Sequence, residues 1–308
     1  MLSFSKERVC FAMRKKAAVI LNPQSGMKQG KRNLADIVGI FCTAQYDVNV
    51  YVTSCRGDAT VAASRLGKEC ALVVCIGGDG TFNEVVSGMV ASGNTAEIGY
   101  IPAGSTNDFA NSLGLSKNML EAAKQIVDGT PQKYDVGKFN DRYFTYVASF
   151  GAFTRASYNT PQNVKNALGH VAYVLEGVKE LGNIQPINVE IDIDGETLNG
   201  EYIFGAVCNS TSLGGILTLS PDVVDMNDGL FEMLLVKAPK NILDLNECIA
   251  ALTSQNYQSR MLVFKSGKNV TVKTEKTLDW SLDGEHANGG TIAAISNLHD
   301  AVKLVSKE

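Results

Sequence analysis

The sequence predicts an α/β domain followed by a mainly β domain: a doubly wound parallel-sheet unit at the N-terminus and a β-sandwich behind it. Three observations carry that expectation. Apolar runs at residues 17–21, 48–53, 71–76 and 98–101 each end in small or polar residues and lead into helix-like stretches, the alternation of a parallel sheet with crossover helices. After Pro131 the pattern changes to strand-length runs separated by the turn dipeptides Asn140-Asp141 and Asp194-Gly195. A length of 308 residues, 45% of them hydrophobic, supplies apolar surface for two cores of ordinary size. We place the α/β unit at residues 13–131, joined by the closing segment 296–308 with its apolar run at 301–305, and the β unit at residues 132–295.

Element by element, the first run ends at Asn22-Pro23-Gln24-Ser25-Gly26 and the second at Ser54-Cys55-Arg56-Gly57-Asp58, where Gly57-Asp58 reads as a helix start. The third ends at Gly77-Gly78-Asp79-Gly80-Thr81-Phe82-Asn83, with a helix opening at Glu84, and the fourth at Pro102-Ala103-Gly104-Ser105-Thr106-Asn107-Asp108. All four loops fall at strand carboxyl ends, where open α/β sheets bind ligands. In the β unit, strands are expected at 134–139, 142–149, 187–193, 202–207, 230–236, 270–273 and 291–295, and helices at 162–181 and 242–252.

Composition excludes several classes. A net charge of -4 with cations mixed among anions argues against a nucleic-acid partner, which calls for a basic face. Seven cysteines without a Cys-x-x-Cys pair indicate a reducing, cytoplasmic setting, and three histidines are too few for a typical zinc site, so a catalytic base is expected to be a carboxylate. No apolar run approaches the roughly 20 residues that cross a bilayer. The first twelve residues, with Lys6, Glu7 and Arg8, lack a secretory core, and Met13 reads as an alternative start.

The Gly77 loop is the strongest chemical signal. Its glycines let the backbone approach an anion, and the unpaired amides of the following helix end add the positive end of a dipole. Asp79 stands in the middle, placed to reach a phosphate-bound metal or a donor hydroxyl. The loop matches neither the Walker A pattern nor Gly-x-Gly-x-x-Gly. The plainer reading is a tight turn in which Thr81 is the N-cap and Glu84 completes a capping box, and that role is compatible with phosphate binding. The Asn22 loop alone is a common turn; beside the Gly77 loop it becomes a second wall of a nucleotide site. The hydroxyls of Thr53 and Ser105 either bond a nucleotide or cap a helix.

Taken in order, Asn22-Pro23-x-Ser25-Gly26, Gly77-Gly78-Asp79-Gly80-Thr81 and Gly104-Ser105-Thr106-Asn107-Asp108-Phe109 resemble the diacylglycerol kinase catalytic family, and most closely its soluble bacterial lipid kinases. The resemblance implies an NAD kinase-like nucleotide domain and a β-sandwich domain enclosing a cleft in which ATP phosphorylates a lipid hydroxyl, diacylglycerol first among the candidates. It implies ATP contacts from Asn22, Pro23, Gln24, Ser25, Gly26, Thr53, Gly77, Gly78, Asp79, Gly80, Thr81, Phe82, Asn83 and Ser105, with Thr106 as the alternative hydroxyl. It also implies magnesium at Asp228 with the carbonyls of Asp225 and Leu230, and Glu285 as the base; in the mechanism expected from these residues Asp79 helps organise phosphate and metal.

The tripeptide Asp283-Gly284-Glu285 has a copy at Asp194-Gly195-Glu196, so three letters alone carry almost no information. The earlier copy sits in a hairpin pattern and reads as a plain turn. His286 is a rival base on local chemistry. A carboxylate base is expected to be desolvated. A lipid acceptor implies peripheral contact with a membrane, for which Lys28, Lys31, Arg32, Lys165 and Lys179 are candidates; each equally suits a solvated face. An NAD kinase-like small-molecule kinase and a non-catalytic lipid- or nucleotide-binding regulator are the competing readings. A homodimer is compatible with the sequence and not specified by it.

Overall fold

The computed structural model describes residues 14–26, 29–151, 185–213 and 217–306. The expected helix at 162–181, with Lys165 and Lys179, and the side chain of Lys28 lie outside them.

The first half alternates strand and helix: β1 (Lys15–Leu21), α1 (Gln29–Thr43), β2 (Tyr46–Val52), α2 (Asp58–Leu66), β3 (Leu72–Gly77), α3 (Asp79–Ala91), β4 (Glu97–Pro102), α4 (Asp108–Ser112) and α5 (Met119–Asp128). The strands run parallel in the order β2-β1-β3-β4. Period-two alternation divides β1 between two cores. Ala17, Val19 and Leu21 pack with Ile37 and Phe41 of α1 and Met119 and Ala122 of α5; Ala18 and Ile20 pack with Ala59 and Ala62 of α2 and Val85 and Met89 of α3. Central β3 is buried along its whole length, whereas edge strand β2 leaves Val52 half exposed. Each large aliphatic side chain so buried contributes about 1.5–3 kcal/mol.

The second half is built from β5 (Thr130–Phe139), β6 (Arg142–Phe144), β7 (Val147–Gly151), β8 (Ile187–Ile193), β9 (Glu196–Cys208), β10 (Ser212–Leu213), β11 (Leu217–Thr218) and β12 (Phe231–Lys237). It continues with α6 (Ile242–Thr253), β13 (Leu262–Gly267), β14 (Asn269–Thr274), β15 (Asp279–Leu282), β16 (Glu285–Asn288) and β17 (Ile292–Ser306). Its strands wrap a third core around Phe139, Phe144, Phe150, Phe231 and Trp280.

Two departures from expectation matter for the site. The runs at 291–295 and 301–305 are one strand: β17 pairs with β14 through Ile292–Ser296 and with β4 through Lys303 and Leu304, while β5 accompanies it antiparallel through both halves. The interval between them is a register shift after Leu298, not a break. Buried Asp135 holds it, accepting from Asp300 N at 2.9 Å and Gly229 N at 2.7 Å and lying 2.9 Å from His299 Nδ1. The expected strand at 142–149 splits instead into β6 and β7, because the amides of Thr145, Tyr146 and Val147 turn toward the carboxylate of Asp283.

Candidate active site

The four expected loops lie together at the carboxyl ends of β1 to β4, and glycine lets three of them touch backbone to backbone. Gly26 has φ +47, and a Cβ there would come 1.9 Å from the carbonyl oxygen of Ala103; a Cβ on Gly104 would come 2.6 Å from Gly78 Cα. No larger residue fits either place. The contact is laced by side chains: Asn22 Nδ2 donates to Thr81 Oγ1 at 2.9 Å, and Asn107 bonds both the N–H and the carbonyl of Gly104.

Helix α3 starts at Asp79, five residues before the expected Glu84, with Gly78 as an extended N-cap and no side chain bonded over its end. Thr81 is therefore inside the first turn and not the cap. Glu84 caps a different helix: its two oxygens accept Gly57 N at 2.8 Å and Ala59 N at 3.2 Å, closing the N-terminus of α2. The α3 terminus keeps the unpaired first-turn amides that every helix end carries. They open on a cavity of about 650 Å³ lined by Asn22, Pro23, Gln24, Ser25, Thr53, Gly78, Gly80 and Thr81 from the first lobe and by Glu285 from the second.

Not every expected contact lines that cavity. Phe82 is sealed in the core, stacked on Tyr100 at 4.3 Å and Phe109 at 5.0 Å, so its side chain is unavailable to a ligand. Gly77 lies under Thr81, Gly26 under Ala103, and Ser105 is exposed beyond the lining. Asn83 bridges the lobes, donating to Asp283 Oδ2 at 2.8 Å and to the carbonyl of Tyr143. Asp79 turns toward α4, accepting Asp108 N at 3.2 Å and Phe109 N at 3.3 Å. Burial, with the nearby Asp108 carboxylate, pushes its pKa up to about 7.

Glu285 is carried by a two-residue turn, Asp283-Gly284, between β15 and β16. Asp283 is buried and accepts from Thr145 N, Thr145 Oγ1, Tyr146 N, Val147 N and Asn83 Nδ2 at 2.6 to 3.0 Å. The turn is thus anchored to β7 and to α3 at once. Glu285 Oε1 stands 3.4 Å from the place a Cβ on Gly80 would occupy. The expected desolvation is not met: the Glu285 side chain is 37% exposed and pairs with Arg56 at 2.5 Å and Arg142 at 3.4 Å. Sequence reading missed both arginines and the role of Glu84, since nothing in the sequence brings residues 56 and 142 to residue 285. His286 bonds Asp279 and does not line the cavity.

Residues Asp225 to Asp228 line a separate cavity of about 750 Å³ with Glu232 and Lys133, and Leu230 lies outside its lining. Asp225 Oδ1 accepts Asn227 N, Asp228 Oδ1 accepts Leu230 N, and the Leu230 carbonyl accepts Asn297 Nδ2 at 2.9 Å. Carboxylate and carbonyl oxygens on an exposed loop suit a hard divalent cation, so these residues fit the magnesium that the sequence resemblance implies. Burial, reinforced by Asp228, pushes neighbouring Glu232 up to about 8.

Comparison with known proteins matches both lobes. The diacylglycerol kinase catalytic domain model matches residues 16–139, and the YegS C-terminal NAD kinase β-sandwich-like domain model matches residues 147–305. A Bacillus subtilis (strain 168) diacylglycerol kinase is 35% identical over 294 residues, covering 94% of this chain and 96% of its own. A Staphylococcus aureus (strain MRSA252) diacylglycerol kinase is 33% identical over 285 residues, 92% and 89% of the two chains. A solved structure from Bacillus anthracis strain Sterne, described as a candidate diacylglycerol kinase, superimposes with a TM-score of 0.79 at 26% identity, covering 95% of this chain and 97% of its own. An NAD kinase-like first domain, a β-sandwich second domain and identity sustained across nearly the whole chain lead to one conclusion: this chain belongs to the diacylglycerol kinase family.

Proposed function

We propose that this chain transfers the terminal phosphate of ATP to a lipid hydroxyl, with diacylglycerol as acceptor and phosphatidate as product. One observation carries the reading: the unblocked N-terminus of α3 and the carboxylate of Glu285 face a single cavity between the lobes. Phosphoryl transfer asks for positioning, charge neutralisation and an acceptor for the hydroxyl proton. The α3 amides and the Asn22 loop supply the first by binding the phosphate chain. Glu285 accepts the proton as the lipid oxygen attacks the terminal phosphorus and ADP leaves. Asp79 acts from behind, fixing α4 and the Gly104 loop against α3 through the amides of Asp108 and Phe109.

Asp228, with the carbonyls of Asp225 and Leu230, would hold magnesium, whose charge would fix the shape of that loop in the second lobe rather than contact ATP. Asp135 already ties Gly229 of that loop to β17, so the loop is held to the strand that joins the lobes. We take the ribbon of β5 and β17 as the domain junction.

No described helix is long and apolar enough to cross a membrane, so a lipid acceptor would be met at a bilayer surface. Lys31 and Arg32, exposed on α1, are candidate contacts with anionic headgroups. Cys42, Cys55, Cys70, Cys75, Cys208 and Cys248 are free thiols, in keeping with a reducing compartment.

The test is incubation of the full chain with labelled ATP and a mixed-lipid extract containing diacylglycerol, followed by thin-layer separation. Label in phosphatidate is the expected result. Label on NAD when that is offered instead, or transfer to no lipid in the panel, would contradict the reading.

A further inference from the structure

Among the described residues lining the cavity at the α3 terminus, one carries a cationic side chain, Arg56. It sits in the loop between β2 and α2, its side chain is 72% exposed, and it reaches across the lobes to Glu285 Oε2. Among the described residues its lining has two carboxylates, Glu84 and Glu285. Glu84 is committed to the α2 amides, so the arginine pairs with the other. Arg142 touches the same Oε2 atom at 3.4 Å, which leaves Glu285 a cationic neighbour when Arg56 moves away.

The loop itself is pinned: Asp58 accepts Ser54 N at 2.7 Å, Ser54 Oγ at 2.9 Å and Tyr51 Oη at 2.6 Å. The long Arg56 side chain extends from a loop so held. Backbone amides can cradle phosphate without a lysine, but the dense negative charge of three phosphates also attracts any cation in reach. A guanidinium matches phosphate oxygens in a planar, two-point fashion.

We propose that Arg56 is a further nucleotide-binding residue that exchanges partners, leaving Glu285 for the phosphate chain, so that the carboxylate that takes the acceptor's proton sheds one of its two cationic neighbours. The inference rests on the kinase reading above. It gives the interlobe ion pair a role: one cation shared between the group that holds phosphate and the group that activates the acceptor, which couples nucleotide binding to readiness of the base.

The test is calorimetric titration of the full chain with ATP and with AMP, comparing wild type, Arg56→Gln, Glu285→Gln and the double variant. Thermal unfolding confirms that each is folded, as the exposure of both side chains leads us to expect. Arg56→Gln should weaken ATP about tenfold, the scale of one charge-assisted contact, and AMP much less. Glu285→Gln should tighten ATP several-fold when Arg56 is present and little when it is absent. ATP affinity unchanged by Arg56→Gln, or equal tightening by Glu285→Gln in both backgrounds, would overturn the exchange while leaving the kinase reading intact. Failure of the wild-type chain to bind ATP would overturn both.

Discussion

The two Asp-Gly-Glu tripeptides make a comparison inside one molecule. Both form two-residue hairpin turns with the same backbone, Asp194 and Asp283 each at φ 49, Gly195 at φ 92 and Gly284 at φ 82. That is the pair of positive φ angles a twisted hairpin requires. Both aspartates use the carboxylate to collect amides from a neighbouring segment: Asp194 those of Lys268 and Asn269, Asp283 those of Thr145, Tyr146 and Val147. What differs is the surroundings. Asp194 is exposed and its amide bonds hold its pKa below the usual range, whereas burial of Asp283 outweighs its hydrogen bonds and raises it. Glu196 pairs with Lys265 at the surface; Glu285 meets Arg56 and Arg142 at the interlobe cavity. Local sequence specifies the turn, and the fold decides whether its third residue has chemistry to do.

The comparison breaks most visibly if the two aspartates prove equivalent. Asp283→Ala strands three buried amides and should lose about 4 kcal/mol or more of stability, while Asp194→Ala, where water replaces the carboxylate, should lose about 1 kcal/mol. Urea unfolding of both variants checks this; equal losses would show that burial is not what separates the copies.

Asp79 sharpens the point for a third aspartate. Its folded pKa of about 7 lies above the unfolded value of 3.8, so ionisation is harder in the folded state. Its contribution is fully present at acid pH and is lost as pH rises from about 4 through about 7. Wild type should therefore lose on the order of 2 kcal/mol relative to Asp79→Asn across that window. A difference independent of pH would contradict the assignment.

Glu84→Ala should cost about 1 kcal/mol, the value of a helix cap, and should speed hydrogen exchange at Gly57 and Ala59. Unchanged exchange there would mean that the α2 cap is not formed in solution. The smallest effect belongs to the surface pair. Glu196→Gln should leave unfolding midpoint and turnover unaltered, and a measurable loss of either would weaken the contrast with Glu285.

The parallel sheet was legible because β1, β3 and β4 are short, largely apolar and closed by loops of small residues, a pattern set by local burial. So was the grouping of the Asn22, Gly77 and Gly104 loops, since every parallel strand delivers its carboxyl end to the same edge. What was not legible depends on partners distant in sequence. The helix start at Asp79 displaced the expected capping box because Glu84 found the amides of α2. The strand at 142–149 split because a carboxylate 136 to 138 residues away took its amides. Strands β13, β15 and β16 went unrecognised: β16, Glu285-His286-Ala287-Asn288, buries only Ala287 and shows almost no apolar signal. Phe82, expected to touch nucleotide, belongs to the aromatic stack beneath it, since motif membership does not say which way a side chain turns.

On this reading the carboxylate facing the α3 terminus is the proton acceptor and its tripeptide twin is not. The most direct measurement is steady-state turnover with ATP and dispersed diacylglycerol for Glu285→Gln beside Glu196→Gln, with ATP binding recorded for each. Glu285→Gln should lower kcat roughly 100-fold or more with ATP still bound, and Glu196→Gln should keep wild-type kinetics. Full turnover by a folded Glu285→Gln variant would contradict this reading.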